Sequence, residues 1–334
     1  MNKFNLDSIA RERFCLLPTP IHKLSRLSNE IGEVNIYVKR DDLTGIAFGG
    51  NKNRKLEFLL ADAKKKGVDV VLTEGALTSN HCLQTAACAA KMGMDCELVL
   101  SDAASGEKIT GNILLNQILD TKIHRVKTSE ERKPKMEEQA KKLVSEGKTP
   151  YVIPTGGSNR IGILGYIACV QEFVQQAKDM GVKFDYFVFG TGSAGTQSGL
   201  IAGKKLYYPD IEIIGISAGD GRAGIISATK EIIKLFEEDW SLNLGVKDSD
   251  IIVDDNYFDE GYGIAYPELI NTVKLVSKLE GIFLDPVYNG KAMVGLIDLI
   301  RTKKIPKGSN VLFLHSGGGP ALFVFDDVFG KKIS

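Results

Sequence analysis

The sequence has few of the residues that build metal sites and disulfide networks. Of its 334 residues, five are cysteine and four are histidine. The cysteines are odd in number and lack the paired spacing of metal ligands; they are Cys15, Cys82, Cys88, Cys96 and Cys169. We therefore expect reduced thiols, as in a cytoplasmic protein, and no metal site. Cys82 lies beside a candidate site, but a small buried packing residue is expected there.

The chain also lacks an excess of charge and long apolar runs. Lysine and arginine together number 42, as do aspartate and glutamate, so the formal net charge is zero. This balance argues against nucleic-acid binding. No apolar run is long enough to cross a bilayer, and the first seven residues lack the apolar core of a signal peptide. We expect a cytoplasmic globular protein with no membrane partner, long enough for two domains.

Short apolar strands alternate with helical stretches, a pattern typical of parallel α/β architecture. A first series begins with a strand at 68–73 and a helix at 80–92, and it ends with a strand at 150–154. Within it, residues 127–147 are rich in lysine and glutamate and predict a solvated helix. A second series has strands at 184–189, 211–216 and 311–315. Two such units joined by an early crossover would leave a cleft between them.

One lysine occupies an unusual position. The run Gly49-Gly50-Asn51-Lys52 follows a strand-like segment at 36–42, and its composition predicts a tight turn before a helix. A cation in the first turn of a helix is misplaced, because the helix dipole favours anions there. A desolvated lysine tends to lose its proton, and the resulting amine can form a Schiff base with an aldehyde cofactor. The alternative interpretation is a surface lysine after a turn.

A glycine-rich loop follows the predicted strand at 184–189 and precedes a helix. Its residues are Gly190, Thr191, Gly192, Ser193, Ala194, Gly195 and Thr196. Glycines let the backbone approach an anion, and a helix N-terminus supplies free N–H donors. The spacing matches the G-x-G-x-x-G dinucleotide fingerprint, with Asp220 as a candidate acidic partner, so a nicotinamide-dependent oxidoreductase is one interpretation. The loop hydroxyls favour a terminal phosphate instead, and a plain strand-to-helix turn is the third possibility.

The segment Ser79-Asn80-His81 stands at the start of a predicted helix. Serine or asparagine is a natural N-cap there, and the same geometry can receive a carboxylate. Asn80 is in addition a candidate donor to a phenolate oxygen. His81 is expected to line the site as a hydrogen-bonding group.

Three further segments combine turn residues with possible chemistry. Tyr288 lies in a loop framed by Pro286 and Gly290, where it is a candidate proton donor or stacking surface. Ser316 begins a glycine-rich turn at the end of a strand, where ligands bind in open α/β sheets. Tyr262 stands between two glycines. Taken alone, each segment is also compatible with an ordinary turn.

In this order, the segments resemble the family of 1-aminocyclopropane-1-carboxylate deaminase and D-cysteine desulfhydrase. These are pyridoxal-phosphate enzymes of the tryptophan-synthase-β fold type. The matching motifs are Lys39-Arg40-Asp41-Asp42-Leu43-Thr44-Gly45, Gly49-Gly50-Asn51-Lys52, Ser79-Asn80-His81, Asp285-Pro286-Val287-Tyr288 and Gly290-Lys291. The resemblance extends from Leu17 to Gly318.

The resemblance implies an architecture of two open, twisted, mostly parallel α/β domains with the active site in the cleft between them. The large pyridoxal-phosphate-binding domain would comprise residues 1–53 and 163–334. A small inserted domain would comprise residues 54–162. The resemblance and the base rate for soluble enzymes also suggest a homodimer.

The same resemblance implies how the cofactor would be held. Lys52 would bind pyridoxal phosphate as a Schiff base and then act as the base at the substrate α-carbon. The loop from Gly190 to Thr196 would cradle the phosphate. Asn80 would bond the phenolic oxygen, and Ser316 would face the pyridine nitrogen.

For a small amino-acid substrate, the resemblance implies a second set of residues. Ser79 and neighbouring backbone amides would hold the carboxylate, while two tyrosines would flank the substrate. The set expected to contact it is Ser79, Asn80, His81, Tyr262, Tyr288 and Asn289.

Two positions depart from the deaminase pattern. The resemblance implies that deaminases of the family carry a glutamate at position 289 and a leucine at position 316, whereas desulfhydrases carry hydroxyl residues at both. A carboxylate would keep the pyridine nitrogen protonated and make the ring a strong electron sink. A hydroxyl such as that of Ser316 gives a weaker sink, which suits expulsion of a β-leaving group, although Asn289 matches neither pattern.

The resulting prediction is β-elimination from D-cysteine to pyruvate, ammonia and hydrogen sulfide. Within the class of pyridoxal-phosphate lyases the alternative substrates are D-serine, L-cysteate, compounds like β-chloro-D-alanine, and the cyclopropane amino acid, which would be deaminated. Outside it, the alternatives are the nicotinamide-dependent oxidoreductase and a catalytically silent ligand-binding protein.

Overall fold

The computed structural model describes residues 4–102 and 109–330. Residues 1–3, on which the expectation about a signal peptide partly depends, lie outside the described residues. No helix within the described ranges is long and apolar enough to cross a membrane. All five cysteines are free thiols.

Ten strands are present in the described ranges. They are β1 (Ile21–Lys23), β2 (Asn35–Arg40), β3 (Val70–Ala76), β4 (Asp95–Ser101), β5 (Lys122–Val126), β6 (Pro150–Val152), β7 (Tyr186–Thr191), β8 (Glu212–Ser217), β9 (Ile252–Asp254) and β10 (Asn310–His315).

Twelve α-helices accompany these strands in the same part of the chain. They are α1 (Ser25–Ile31), α2 (Asn51–Lys65), α3 (Asn80–Lys91), α4 (Gly111–Ile118), α5 (Arg132–Ser145), α6 (Leu164–Met180), α7 (Gly195–Tyr207), α8 (Arg222–Trp240), α9 (Pro267–Glu280), α10 (Asn289–Arg301), α11 (Gly319–Leu322) and α12 (Asp326–Phe329).

The strands form two separate sheets. A six-stranded sheet has the order β1-β2-β10-β7-β8-β9, and a four-stranded sheet has the order β5-β4-β3-β6. Every pairing is parallel except that of β1 with β2. The predicted α/β fold with mostly parallel sheets is therefore confirmed.

Strand β7 shows how the large sheet is buried on both faces. Phe187 and Phe189 point into one apolar cluster, together with Phe173 of α6. Val188 points to the opposite face and joins a cluster that contains Leu296 of α10. Because successive side chains of a strand alternate between faces, a continuously apolar strand needs helices on both sides.

Helix α7 lies close to α6 because small residues recur along one of its faces. A Cβ on Gly199 would lie 2.5 Å from the Cβ of Tyr166, and one on Gly203 would lie 2.6 Å from a methyl carbon of Val170. Residues four apart stack on one face of a helix, so the two glycines form a groove that receives α6. This packing fixes the axis of α7, whose first turn belongs to the site.

The four-stranded sheet is built entirely from residues within 54–162, the range predicted for the small domain. The predicted boundary between residues 53 and 54, however, falls inside the continuous helix α2. Arg54 is fully buried and binds Asp41 and Glu172, which both lie outside the 54–162 range. The Arg54 guanidinium and the Lys39 ammonium hold the pKa of Glu172 at about 2, below its ordinary value.

The carboxyl ends of the central strands converge on one place. Chain segments leaving β2, β7, β8 and β10 lead to the turn before Lys52, the glycine loop, Gly219 and Ser316. The segment leaving β3 brings Ser79 from the other sheet. Parallel strands present their carboxyl ends at one edge, where ligands bind in open α/β sheets.

Candidate active site

Lys52 is the second residue of α2, as the sequence predicts. The turn before it is held by hydrogen bonds from the N–H of Gly50 to the carbonyl of Asp41 at 2.8 Å and from the N–H of Asn51 to the carbonyl of Ser316 at 2.9 Å. Gly50 has φ of 137°, and a Cβ there would lie 2.5 Å from the Gln84 amide nitrogen. The conformation at this position therefore favours glycine, and a Cβ would in addition displace the amide of Gln84.

The amine of Lys52 lies in a poorly solvated environment. Its Nζ donates to Asn51 Oδ1 at 2.9 Å and lies 5.9 Å from the centre of the Tyr288 ring. Burial lowers the pKa of Lys52 to about 8, and the more distant charge of Asp285 opposes that shift. The unprotonated fraction of this amine near neutral pH is therefore far larger than that of an ordinary lysine, and the unprotonated form is the nucleophile.

A small cavity opens directly at this amine. Its lining residues are Asn51, Lys52, Asn80, Gly190, Thr191, Gly192, Ser193, Ala194, Thr196, Tyr288 and Ser316. It adjoins a wide cleft of about 820 Å³ between the two sheets. The cleft walls include Ser79, His81 and Tyr262 as well as Arg132 and Asp220.

The glycine loop connects the end of β7 to the start of α7. The backbone N–H groups of Thr196 and Gln197, in the first turn of α7, form no hydrogen bond within the described residues. Thr191 Oγ1 is buried and has no partner there either. Free donors at a helix N-terminus, next to an unsatisfied hydroxyl, form a site suited to a phosphate.

Close packing explains two glycines of the loop. A Cβ on Gly190 would lie 3.0 Å from the carbonyl oxygen of Tyr288, and one on Gly195 would lie 2.4 Å from Ser158 Oγ. Gly195 does not line the cavity, so its expected contact with a phosphate stays a prediction. The resemblance to a dinucleotide fingerprint thus arises partly from packing.

Ser79 is the N-cap of α3, and its hydroxyl accepts from the N–H of Cys82 at 3.2 Å. The N–H groups of Asn80 and His81 form no hydrogen bond in the described part of the chain. A hydroxyl and two free N–H donors at a helix start can receive a carboxylate. Burial raises the pKa of the Cys82 thiol to about 12, so Cys82 stays protonated and matches the expected packing role.

The side chain of Asn80 is oriented by a residue that sequence reasoning missed. Asn112 of α4 donates from Nδ2 to Asn80 Oδ1 at 2.8 Å and to the carbonyl of Thr78 at 2.6 Å. The Nδ2 group of Asn80 is therefore left to donate into the cavity. Asn112 is about thirty residues away in the chain, and no local pattern marks it.

His81 lines the cleft, but its ring is hydrogen-bonded to another residue of the protein. Thr73 donates its hydroxyl proton to the carbonyl of Ile153 at 2.7 Å, so its oxygen accepts from His81 Nε2 at 2.8 Å. Burial, aided by Lys52 and Lys55, holds the pKa of His81 well below its ordinary value. A neutral ring with its proton engaged fits the predicted wall residue.

Tyr262 and Tyr288 meet across the mouth of the cavity. Their rings pack edge to face at 5.7 Å, and Tyr288 Oη donates to Tyr262 Oη at 3.2 Å. Burial raises the pKa of both phenols, that of Tyr262 to about 12. Both therefore remain protonated at neutral pH. Since Tyr288 donates to Tyr262, the proton of Tyr262 is free for another acceptor.

Asn289 does not line the cavity or the cleft. Its amide nitrogen donates to Asp285 Oδ1 and, at 2.7 Å, to the carbonyl of Gly317. Its amide oxygen accepts from the N–H and the hydroxyl of Ser316. The expected contact of Asn289 with the substrate stays a prediction, and its observed contacts support Ser316.

The structure thus brings most of the predicted residues to one place. Lys52, Asn80, Tyr288 and Ser316 share a cavity with the glycine loop. Sequence reasoning missed Asn51, which lines the same cavity and donates from Nδ2 to Thr196 Oγ1 at 3.1 Å. Its position beside Lys52 in the turn was the available signal.

Comparisons with known proteins agree with this arrangement. Residues 13–317 match a family model described as pyridoxal-phosphate dependent enzyme. A solved structure described as an ACC deaminase homologue is 40% identical and superposes with a TM-score of 0.90, covering 97% of this chain and 96% of that chain.

Two more distant solved structures share the fold. O-ureido-L-serine synthase is 19% identical with a TM-score of 0.67, over 98% of this chain and 96% of that chain. A hydrogen sulfide-producing enzyme from Fusobacterium nucleatum is 18% identical with a TM-score of 0.62, over 94% of this chain and 97% of that chain.

Proposed function

The chain belongs to the family of pyridoxal-phosphate-dependent enzymes, and within it we propose a lyase that removes a β-substituent from a small amino acid. The preferred substrate is D-cysteine, which with water gives pyruvate, ammonia and hydrogen sulfide. Membership of this family confirms the cofactor and the resemblance stated above. It also removes the reason to assign the glycine loop to a nicotinamide cofactor.

The residues present fit pyridoxal phosphate. The free N–H groups at the start of α7 and the unpartnered Thr191 hydroxyl suit its phosphate. Lys52 offers an amine of lowered pKa for its aldehyde carbon. Asn80 retains a free donor for its phenolic oxygen, and Ser316 lines the same cavity.

The choice of elimination is supported by the contacts of Asn289 and Ser316. At position 289 the resemblance implies a glutamate for the deaminases, but this chain has an amide that is fully buried and occupied by Asp285, Gly317 and Ser316. The group of this pair that lines the cavity is a neutral hydroxyl. A neutral partner stabilises a protonated ring nitrogen less than a carboxylate does, which suits loss of a good β-leaving group.

Pyridoxal phosphate, when bound, withdraws electrons from the α-carbon of the amino acid. Lys52 would hold it covalently through Nζ and, once released, take the α-proton on the same nitrogen. The hydroxyl of Ser79 and the N–H groups of Asn80 and His81 would bind the substrate carboxylate. With both ends fixed, the α-carbon would be held near the Lys52 amine.

Tyr262 is the proposed proton donor to the departing sulfur. Its pKa is raised to about 12, so the phenol is protonated at neutral pH and has a proton to donate as the carbon–sulfur bond breaks. Tyr288 donates to Tyr262 Oη and therefore stabilises the phenolate that develops as the proton leaves. The α-proton and the leaving group would thus be handled by different residues.

A second candidate is ring-opening deamination of 1-aminocyclopropane-1-carboxylate. It is favoured by the 40% identity to the structure described as an ACC deaminase homologue. The same Lys52, Ser79 and tyrosine pair would serve it. The absence of a carboxylate at position 289 argues against it.

The deciding experiment supplies D-cysteine, L-cysteine, L-cysteate and the cyclopropane amino acid separately to the cofactor-loaded protein. Pyruvate and sulfide from D-cysteine at a rate well above the other substrates would support the proposal. Formation of 2-oxobutanoate and ammonia from the cyclopropane amino acid, without pyruvate from D-cysteine, would contradict it. Sulfite release from L-cysteate would redirect the assignment to a sulfo-lyase.

We further propose that the enzyme is a cytoplasmic homodimer, in keeping with its free thiols and with the commonest symmetry of soluble enzymes. Light scattering coupled to size-exclusion chromatography would measure its mass in solution. A mass of one chain at all concentrations tested would contradict the dimer.

A further inference from the structure

Lys291 has a coordination that is unusual for a buried lysine. It is the third residue of α10, and its side chain is fully buried. Its Nζ donates to three backbone carbonyls, those of Gly261 at 2.7 Å, Ala218 at 3.1 Å and Phe258 at 3.3 Å. An ammonium has three donors, so all of them are satisfied by carbonyl oxygens.

No carboxylate within the described residues lies within 4.0 Å of this ammonium, so it has no ion pair there. Asp285 and Asp259 act on it only from a greater distance, and burial lowers the pKa of Lys291 to about 8. A buried charge normally needs a partner of opposite charge. A shell of backbone carbonyls without a carboxylate is instead the environment that proteins build for a monovalent cation.

The three carbonyls join two segments of the site. Ala218 directly follows β8, whereas Phe258 and Gly261 belong to the segment that carries Tyr262. Tyr262 also packs on the backbone beside Ala218, because a Cβ on Gly219 would lie 2.7 Å from the Tyr262 Cβ. The ammonium therefore fastens the Tyr262 segment to the end of the large sheet.

We infer that Lys291 is a positioning residue that acts as a tethered monovalent cation, holding the Tyr262 segment where other proteins would use a bound potassium or ammonium ion. The side chain of Lys291 carries the positive charge to the carbonyls from α10, so the protein does not have to bind a cation from solution. The enzyme should therefore need no particular monovalent cation. A requirement for a monovalent cation should appear only when the lysine is shortened, because the three carbonyl oxygens then lack a positive charge.

The test compares wild type with Lys291→Ala in potassium, ammonium and tetramethylammonium chloride at equal ionic strength. Tetramethylammonium is too large to enter the vacated site. In that salt the kcat of Lys291→Ala should fall on the order of tenfold to a hundredfold, because displacement of a positioned group by about 1 Å has effects of this size. Potassium, ammonium or added ethylammonium should restore most of the loss, while wild type stays unchanged.

A thermal readout makes the test independent of the substrate assignment. The unfolding temperature of cofactor-loaded Lys291→Ala should rise with potassium concentration, whereas that of wild type and of Lys304→Ala, an exposed lysine, should not. Lys291→Met, which fills the site without charge, should show no rescue. Equal loss in every salt, or a wild type that itself requires potassium, would overturn the inference. A wild type that requires potassium would overturn the inference even if the variants fail to fold, and a Lys291→Ala that folds only in potassium or ammonium would support it.

Discussion

The amide oxygen of Asn289 accepts two hydrogen bonds from Ser316, one from its N–H at 2.8 Å and one from its hydroxyl at 3.1 Å. The amide cannot be reversed, because its nitrogen is engaged by Asp285 and by the carbonyl of Gly317. A residue that never reaches the cavity thus determines how Ser316 is presented to it. Asn289 and Ser316, the two residues that depart from the deaminase pattern, therefore bond each other.

This relationship predicts unequal costs for the two side chains. Asn289→Ala should lower the free energy of unfolding by about 1–3 kcal/mol, because it leaves buried hydrogen-bonding groups without partners. Ser316→Ala removes one hydroxyl at a cavity wall and should cost less. Urea unfolding of both variants and of the double variant measures the coupling between them. Strictly additive effects would show that the two side chains act separately.

Asn289 and Ser316 are also expected to affect the rate of elimination. Combining Ser316→Leu with Asn289→Glu, which restores the pattern that the resemblance implies for the deaminases, should reduce elimination from D-cysteine by about tenfold or more in kcat/KM. Part of that loss has a local cause, since a glutamate there would face the carboxylate of Asp285. Pyruvate release by the double variant and by Ser316→Leu alone separates the two contributions. Unaltered elimination would refute the electron-sink argument.

The lowered pKa of Lys52 predicts the pH dependence of cofactor binding. Only the neutral amine attacks an aldehyde, so capture of pyridoxal phosphate by cofactor-free protein should accelerate as pH rises and level off above about 8. An ordinary lysine would still be accelerating at pH 10. Stopped-flow absorbance follows the yellow adduct directly. Lys52→Ala should form none, whereas Lys65→Ala, exposed on the same helix, should retain the wild-type profile.

The tyrosine pair predicts a dependence on the leaving group. Tyr262→Phe should lower kcat for D-cysteine on the order of a hundredfold, because general acid catalysis typically contributes this much. With β-chloro-D-alanine the loss should be small, since chloride leaves without a proton. Steady-state pyruvate formation from the two substrates measures the difference. Equal losses for both would mean that Tyr262 shapes the cleft and donates no proton.

Ser79 can be tested as a ligand and as a helix cap at the same time. Ser79→Ala should raise KM by about tenfold, since it removes a hydrogen bond to a charged group, and should cost about 1 kcal/mol of stability. Ser79→Asp keeps a good N-cap but repels a carboxylate. It should therefore retain wild-type stability while raising KM further. A normal KM in Ser79→Asp would leave Ser79 as a cap only.

Sequence reasoning located the elements that have strong local patterns. The predicted strand 311–315 matches β10 to within one residue, and the predicted helix 80–92 matches α3 equally closely. The edge strands β1 and β9, with three residues each, were not predicted, because so short a segment has no measurable periodicity. Pairing with a neighbouring strand is what makes them strands.

The site could be predicted where chemistry and turn residues coincide, as at Lys52 and the glycine loop. It could not be predicted where a side chain is oriented by a distant one. Asn112 orients Asn80 from α4, and Asp285 with Gly317 determines the direction of Asn289. Lys291 stood in a matched motif, but its role depends on carbonyls from two other segments. Such contacts exist only once the chain has folded.

The contacts of the Arg54 guanidinium limit where the chain can be divided into separately expressed fragments. It lies two residues beyond Lys52, yet both of its carboxylate partners, Asp41 and Glu172, belong to the larger unit. A fragment that began at residue 54 would carry away all but the first three residues of α2 and leave the fully buried Asp41 without its cation. Helix α2 also belongs to the small unit, because its Leu56, Leu59 and Leu60 pack in one buried cluster with Val71 of β3. A small unit expressed without α2 should therefore lose part of its core, whereas the turn that carries Lys52 is held by Asp41 and Ser316 beside the large sheet.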